Sequence, residues 1–209
     1  MADATVEQFS WRVQGAIYAV GMFSNSNPNL TWVLIPLWLL SLDASPLEIG
    51  LAMGSRNLLP VLFSIHGGAL LDRFDTRRVM LCFAVTGMLV PLLYPVLPVV
   101  WAVIVLQMIA GYCNSMGWIG AQTVIGRFMR GNPVYIGRMS FATRMGVFAG
   151  PPIIGAAWDL FGPWGGFGVL ALWGGGVLAG AWMLPREDDS SPVPERPPFS
   201  ILSLLPRLS

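Results

Sequence analysis

Long apolar runs alternate with short polar breaks along most of the chain. A helix needs about 20 mostly apolar residues to cross a bilayer. Reading for such runs predicts six spans, at about 14–40, 46–68, 78–97, 99–125, 135–159 and 163–184. The breaks have turn chemistry: SLDASP follows the first run, YPVLP ends the third and DLFGPWG follows the fifth. Backbone groups in lipid must be satisfied within their own segment, which selects helices. The runs are too long and too evenly apolar for the short alternating strands of a transmembrane barrel. The pattern changes abruptly after Leu184 to PREDDSSPVPERPPFS, acidic, proline-rich and too polar to bury a core. The expected organisation is a transmembrane bundle over 1–185 and a solvated linker or tail over 186–209.

Composition sharpens this. Hydrophobic residues make up 55% of the chain and charged residues 11%, where a soluble domain would carry roughly a quarter. A net charge of +1 leaves no basic surface able to displace counterions from nucleic acid. Every basic residue is an arginine, and their placement is uneven. Arg73, Arg77 and Arg78 lie between spans two and three, and Arg127, Arg130 and Arg138 between or at the edges of spans four and five. Arg12 precedes the first span, and Arg186, Arg196 and Arg207 follow the sixth. The other connections carry only Asp43, Glu48 or Asp159 nearby. By the positive-inside rule both termini are expected in the cytoplasm, with the chain multi-pass in the inner, or cell, membrane. The N-terminus carries Asp3 and Glu7 and no basic n-region, so no cleaved signal peptide is expected. Cys82 and Cys113 fall inside apolar runs at a spacing that fits no metal or haem pattern, and they read as packing residues.

The charge-rich stretch GGALLDRFDTRRVM, residues 67–80, resembles the signature loop between helices two and three of the major facilitator superfamily. Gly68, Leu70, Asp72 and Arg73 match in place and Arg77 falls on a basic position, while Asp75 stands where glycine is usual. GVFAGPPIIGAAWDLFG, residues 146–162, resembles the glycine-proline motif of helix five in the antiporter-like branches, on Gly146, Gly150, Pro151 and Gly155. The start of span two, DASPLEIGLAMGSRNLLP, is similar to that superfamily too. Helix four departs, with Gln107 where many proton antiporters have arginine. The resemblance implies an all-α membrane protein, six helices arranged as two inverted three-helix repeats, equivalent to the N-terminal half of such a carrier. It implies movement of a small-molecule substrate by alternating access, export favoured over uptake. A second six-helix half would come from a separate chain, a missing C-terminal half or a homodimer. The competing class is a non-transporting half that acts as a membrane interaction or assembly protein.

The candidate residues have a physical reading as well. Asp72 near a helix end can accept from backbone amides of a neighbouring helix N-terminus. By resemblance Gly68, Asp72, Arg73, Arg77 and Arg78 form a latch between the halves. As topology signals alone, the arginines would look the same. In span one Asn25, Pro28, Asn29 and Trp32 recur at helical spacing, as do Gln107, Gly111, Asn114, Trp118 and Gln122 in span four. Polar stripes at membrane depth either line a cavity or bond neighbouring helices. Asn25, Asn29, Trp32, Gln107, Asn114, Trp118, Gln122 and Arg144 are therefore the cavity-lining candidates. Arg56, about ten residues into span two, reads as a structural arginine or as an anion-binding one. No carboxylate falls clearly within a span, and His66 sits near the end of span two. No metal-ligand cluster, cofactor motif or nucleophile–base pairing is legible, so neither an enzyme nor a cofactor is expected.

Overall fold

A computed structural model describes residues 11–63, 74, 76–128 and 133–184. Its helices are α1 (Trp11–Leu40), α2 (Pro46–Ser55), α3 (Thr76–Val96), α4 (Val100–Phe128) and α5 (Pro133–Met183). Residues 58–63 are helical as well, and no strand occurs among the described residues. The segments Arg77–Val96, Val100–Val124 and Pro133–Met183 are long and apolar enough to cross a membrane. Gly68, Asp72, Arg73 and the 186–209 tail lie outside the described residues.

Within and just after the polar SNSNPN of α1, two hydroxyls bond back to the helix's own carbonyls. Ser26 Oγ donates to the Met22 carbonyl at 2.5 Å and Thr31 Oγ1 to that of Asn27 at 2.6 Å. The turn after Leu40 ends one helix and starts the next with specific chemistry. Ala44 N donates to Leu39 O at 3.1 Å and Asp43 N to Leu40 O at 3.2 Å, a Schellman arrangement with Asp43 left-handed at φ 56°. Ser45 then caps α2: its amide donates to Glu48 Oε2 at 2.8 Å and its Oγ accepts from the Glu48 amide at 3.4 Å. Pro46 fills the first helical position, where a missing N–H costs nothing.

The 51 residues of α5 are two helices, divided at Gly162 with φ 62° and ψ −151°. That region of backbone space is open essentially to glycine alone. The register against α1 shows what the break does. Gly21 faces Met139 and Leu30 faces Gly150, so the arm over 133–161 runs parallel to α1. Leu34 then faces Gly166 and Val20 faces Gly180, so the arm over 163–183 returns antiparallel. The predicted spans 135–159 and 163–184 correspond to these two arms. Between α3 and α4 the register is antiparallel, with Met80 against Gly120 and Cys113 against Gly87.

Buried apolar residues form two clusters rather than one. The first gathers Ile17, Val20, Met80, Met116, Met139 and Ala181. The second gathers Leu30, Leu34, Val90, Leu106, Phe167 and Leu170. Along α1, α3, α4 and the second arm of α5, the stretch between these clusters faces a common interior layer.

Candidate functional site

Pro60 sets up that layer. Its nitrogen carries no hydrogen, so the Arg56 carbonyl, four residues earlier, has no helical donor and meets the ring instead. The helix expected to run unbroken over 46–68 accordingly stops at Ser55, turns at Arg56 and Asn57, and resumes over 58–63. Asn57 N reaches back to Gly54 O at 3.1 Å, and Val61 N restarts the ladder on Asn57 O at 3.0 Å. Ser55 Oγ ties the turn to α4 through the Ile104 carbonyl at 3.1 Å. The released Arg56 carbonyl lies directly against Gly111 of α4, where any Cβ would collide with it.

This turn sends the Arg56 side chain inward, where it is only 4% exposed. Nη1 donates to Gln107 Oε1 at 3.2 Å and Nη2 to Asn27 Oδ1 at 3.1 Å, so one guanidinium joins α2 to α4 and α1. Tyr94 of α3 adds a hydroxyl to the same Gln107 Oε1 at 3.3 Å. Its ring is held by stacking on Phe167, centroids 4.9 Å apart. Thr31 Oγ1 lies 3.4 Å from Asn27 Oδ1. Four helices thus meet at one arginine. No carboxylate of the described residues pairs with it. An arginine at the centre of a membrane helix costs about 3 kcal/mol to insert, and here amide and hydroxyl dipoles carry the compensation. Gln107 Nε2 and Ser24 Oγ are buried in the same layer with no hydrogen-bond partner among the described residues.

The cavity-lining candidates do not gather in one place. Gln107 is fully buried and Asn114 lines a small cavity beside Arg56. Trp118 instead borders a separate groove of about 250 Å³, with Pro60, Phe63 and Tyr112. Asn25 is half-buried, while Asn29, Trp32, Gln122 and Arg144 are exposed on the outside of the bundle. In α1 the residues turned to the interior are Ser24, Asn27 and Thr31, one step around the helix from the stripe that spacing picked out. The phase was missed because apolar residues surround α1 on every side, leaving no clean apolar face to fix its rotation. The usable signal was Arg56 itself, a charge in an apolar run four residues before a proline.

The motif glycines divide similarly. Gly146 packs on Ser26 and Gly150 on Leu30, each too close for a side chain, whereas Gly155 faces open space and Pro151 is half-buried. From the charged loop, Arg77 reaches the end of α5: Nη2 donates to the Trp182 carbonyl at 2.6 Å and the guanidinium lies 5.5 Å from the Trp182 ring centroid. A cation at a helix C-terminus satisfies an orphan carbonyl and complements the dipole. Arg78 is exposed. Among the described residues no group of histidine, cysteine and carboxylate side chains could hold a metal ion.

No curated protein matches the sequence. The family profile of the Major Facilitator Superfamily, by contrast, matches residues 15–208. That match takes in every described helix except the first four residues of α1, and the chain belongs to this superfamily of membrane-embedded small-molecule transporters.

Proposed function

We propose that the chain is one six-helix half of a facilitator-type secondary carrier, multi-pass in the cell membrane with both termini cytoplasmic. The half consists of two inverted three-helix repeats. It rocks against a second six-helix half to move a small molecule by alternating access, in the direction of export. The second half comes from a separate chain, from sequence beyond this one or from a second copy.

The observation that carries this reading is the exposure of Asn29 and Arg144. Asn29 lies well inside α1, and Arg144 about three turns into α5. Facing lipid at that depth, an amide and a guanidinium would be costly; polar side chains in a span belong against a partner or a wet cavity. A second half would cover them and enclose the path between; Trp32 and Gln122 are exposed as well. Gly68, Asp72, Arg73 and Arg78 would then form the cytoplasmic latch, with Arg77 anchoring the loop to Trp182.

Native mass of the gently extracted chain tests this first. A particle containing two six-helix units supports it. A lone 22.7 kDa chain favours the non-transporting alternative. In the assembled particle a cysteine replacing Asn29 should react with a water-soluble maleimide, and Asp72→Asn should slow transport while expression and insertion stay unchanged.

A further inference from the structure

Beside Arg56 is a cavity of about 30 Å³, lined among others by Ser24, Asn27, Arg56 and Asn114. The polar groups that line it and those bonded to Arg56 behind it are unbalanced. The amide oxygens that face the guanidinium are already used: Gln107 Oε1 accepts from Arg56 and Tyr94, and Asn27 Oδ1 from Arg56. A guanidinium has five N–H donors, and two of its nitrogens account for the bonds to Gln107 and Asn27. Gln107 Nε2 and the Ser24 hydroxyl, on residues 0% and 1% exposed, have no partner among the described residues. Beside these groups stands one positive charge that no carboxylate of the described residues meets, and the Asn114 amide adds a further polar group to the lining. Buried groups left in this state point to an ion or water that completes them.

We infer that the Arg56 cavity binds one small monovalent anion, either a halide or the carboxylate end of an organic acid. Water would satisfy the donors and leave the charge unneutralised, between two apolar clusters where an unpaired charge is most costly. Tyr94, from α3, is the titratable group that faces the guanidinium, and it is committed to Gln107. Size agrees: a cavity needs about 10–15 Å³ to hold one water, so about 30 Å³ has room for a monatomic anion or a small carboxylate and suits these better than bulky, hydroxylated gluconate. The site is formed within this one chain and stands whether or not the chain transports.

Thermal melting of the purified full chain, followed by the fluorescence of its nine tryptophans, tests the inference. Sodium salts of gluconate, chloride, bromide, formate and acetate are compared at equal ionic strength. Chloride at a 100-fold excess over its dissociation constant should raise the melting temperature by about 5 °C or more above gluconate, saturably. A response to halides alone identifies a free inorganic anion; a larger response to formate and acetate identifies a carboxylate. Gln107→Glu supplies a carboxylate in place of the guest, so that variant should melt high in gluconate and lose the anion response. A wild-type melting temperature equal in all five salts, the result for a cavity holding only water, overturns the inference. So does a response that follows general salting-out strength rather than anion size, or one that persists unchanged in Gln107→Glu. Should that variant fail to fold, the wild-type series decides alone.

Discussion

Along the seam between α1 and the two arms of α5, contact is made by leaving side chains out: Gly146 against Ser26, Gly150 against Leu30, Gly166 against Leu34, Gly180 against Val20. Around Arg56 the helices meet through side chains that are long, polar and mutually bonded. Both regions are buried, and their energetics differ. The seam gains dispersion contacts that any added atom disrupts, a common solution where lipid removes the hydrophobic drive between helices. The arginine layer offsets one large desolvation cost with several dipoles and leaves donors unused. A seam of this kind favours one arrangement of its helices. A polar layer instead depends on a few directed hydrogen bonds between long side chains.

Substitutions can break that contrast. Gly111 sits where the two regimes meet, since its missing Cβ makes room for the Arg56 carbonyl. Gly111→Val should cost about 3 kcal/mol or more, because backbone cannot yield as a flexible side chain does. Melting of the detergent-solubilised chain would report it as a drop of several degrees, with Gly155→Ala as the control. Nothing lies within 4 Å of a Cβ at Gly155, so that change should stay within about 0.5 kcal/mol. Equal effects at the two positions would end the steric account.

Next in size is Gln107→Leu, which strips Arg56 Nη1 and the Tyr94 hydroxyl of their common acceptor. A loss of about 2–3 kcal/mol is expected. Tyr94→Phe removes only one donor and leaves the arginine bonded, for about 1 kcal/mol. If the two variants melt together, the arginine is not held by Gln107. Gly162→Ala forces an alanine into a backbone region open essentially to glycine and should cost about 2 kcal/mol. The smallest effect is Arg77→Gln, which loses the cation over Trp182 and weakens the bond to its carbonyl. About 0.5–1 kcal/mol is expected, read as faster proteolysis near the end of α5 before any change in melting temperature.

Much of the secondary structure was legible. The helical run predicted over 99–125 occurs as Val100–Phe128, and that over 78–97 as Thr76–Val96, because hydropathy and turn residues change together there. DLFGPWG marked the reversal at Gly162 for the same reason. The break at Arg56 was overlooked although Pro60 announced it, since an apolar run masks a proline that removes only one hydrogen bond.

The sequence by itself determined a helical membrane protein, its turns, and the motifs that place it in its superfamily. Those features depend on residues close together in the chain: apolar runs, a serine three residues before a glutamate, a glycine before a proline. Only the tertiary structure decided that Arg56 meets Asn27, Gln107 and Tyr94 rather than lipid or the interface. The physical reason is rotational. Each residue turns a helix by about 100°, and a helix apolar on all sides gives no local clue to which of its polar residues face inward. Neighbouring helices fix that rotation through the few places, such as Gly111 and Gly150, where they come close enough to allow one fit.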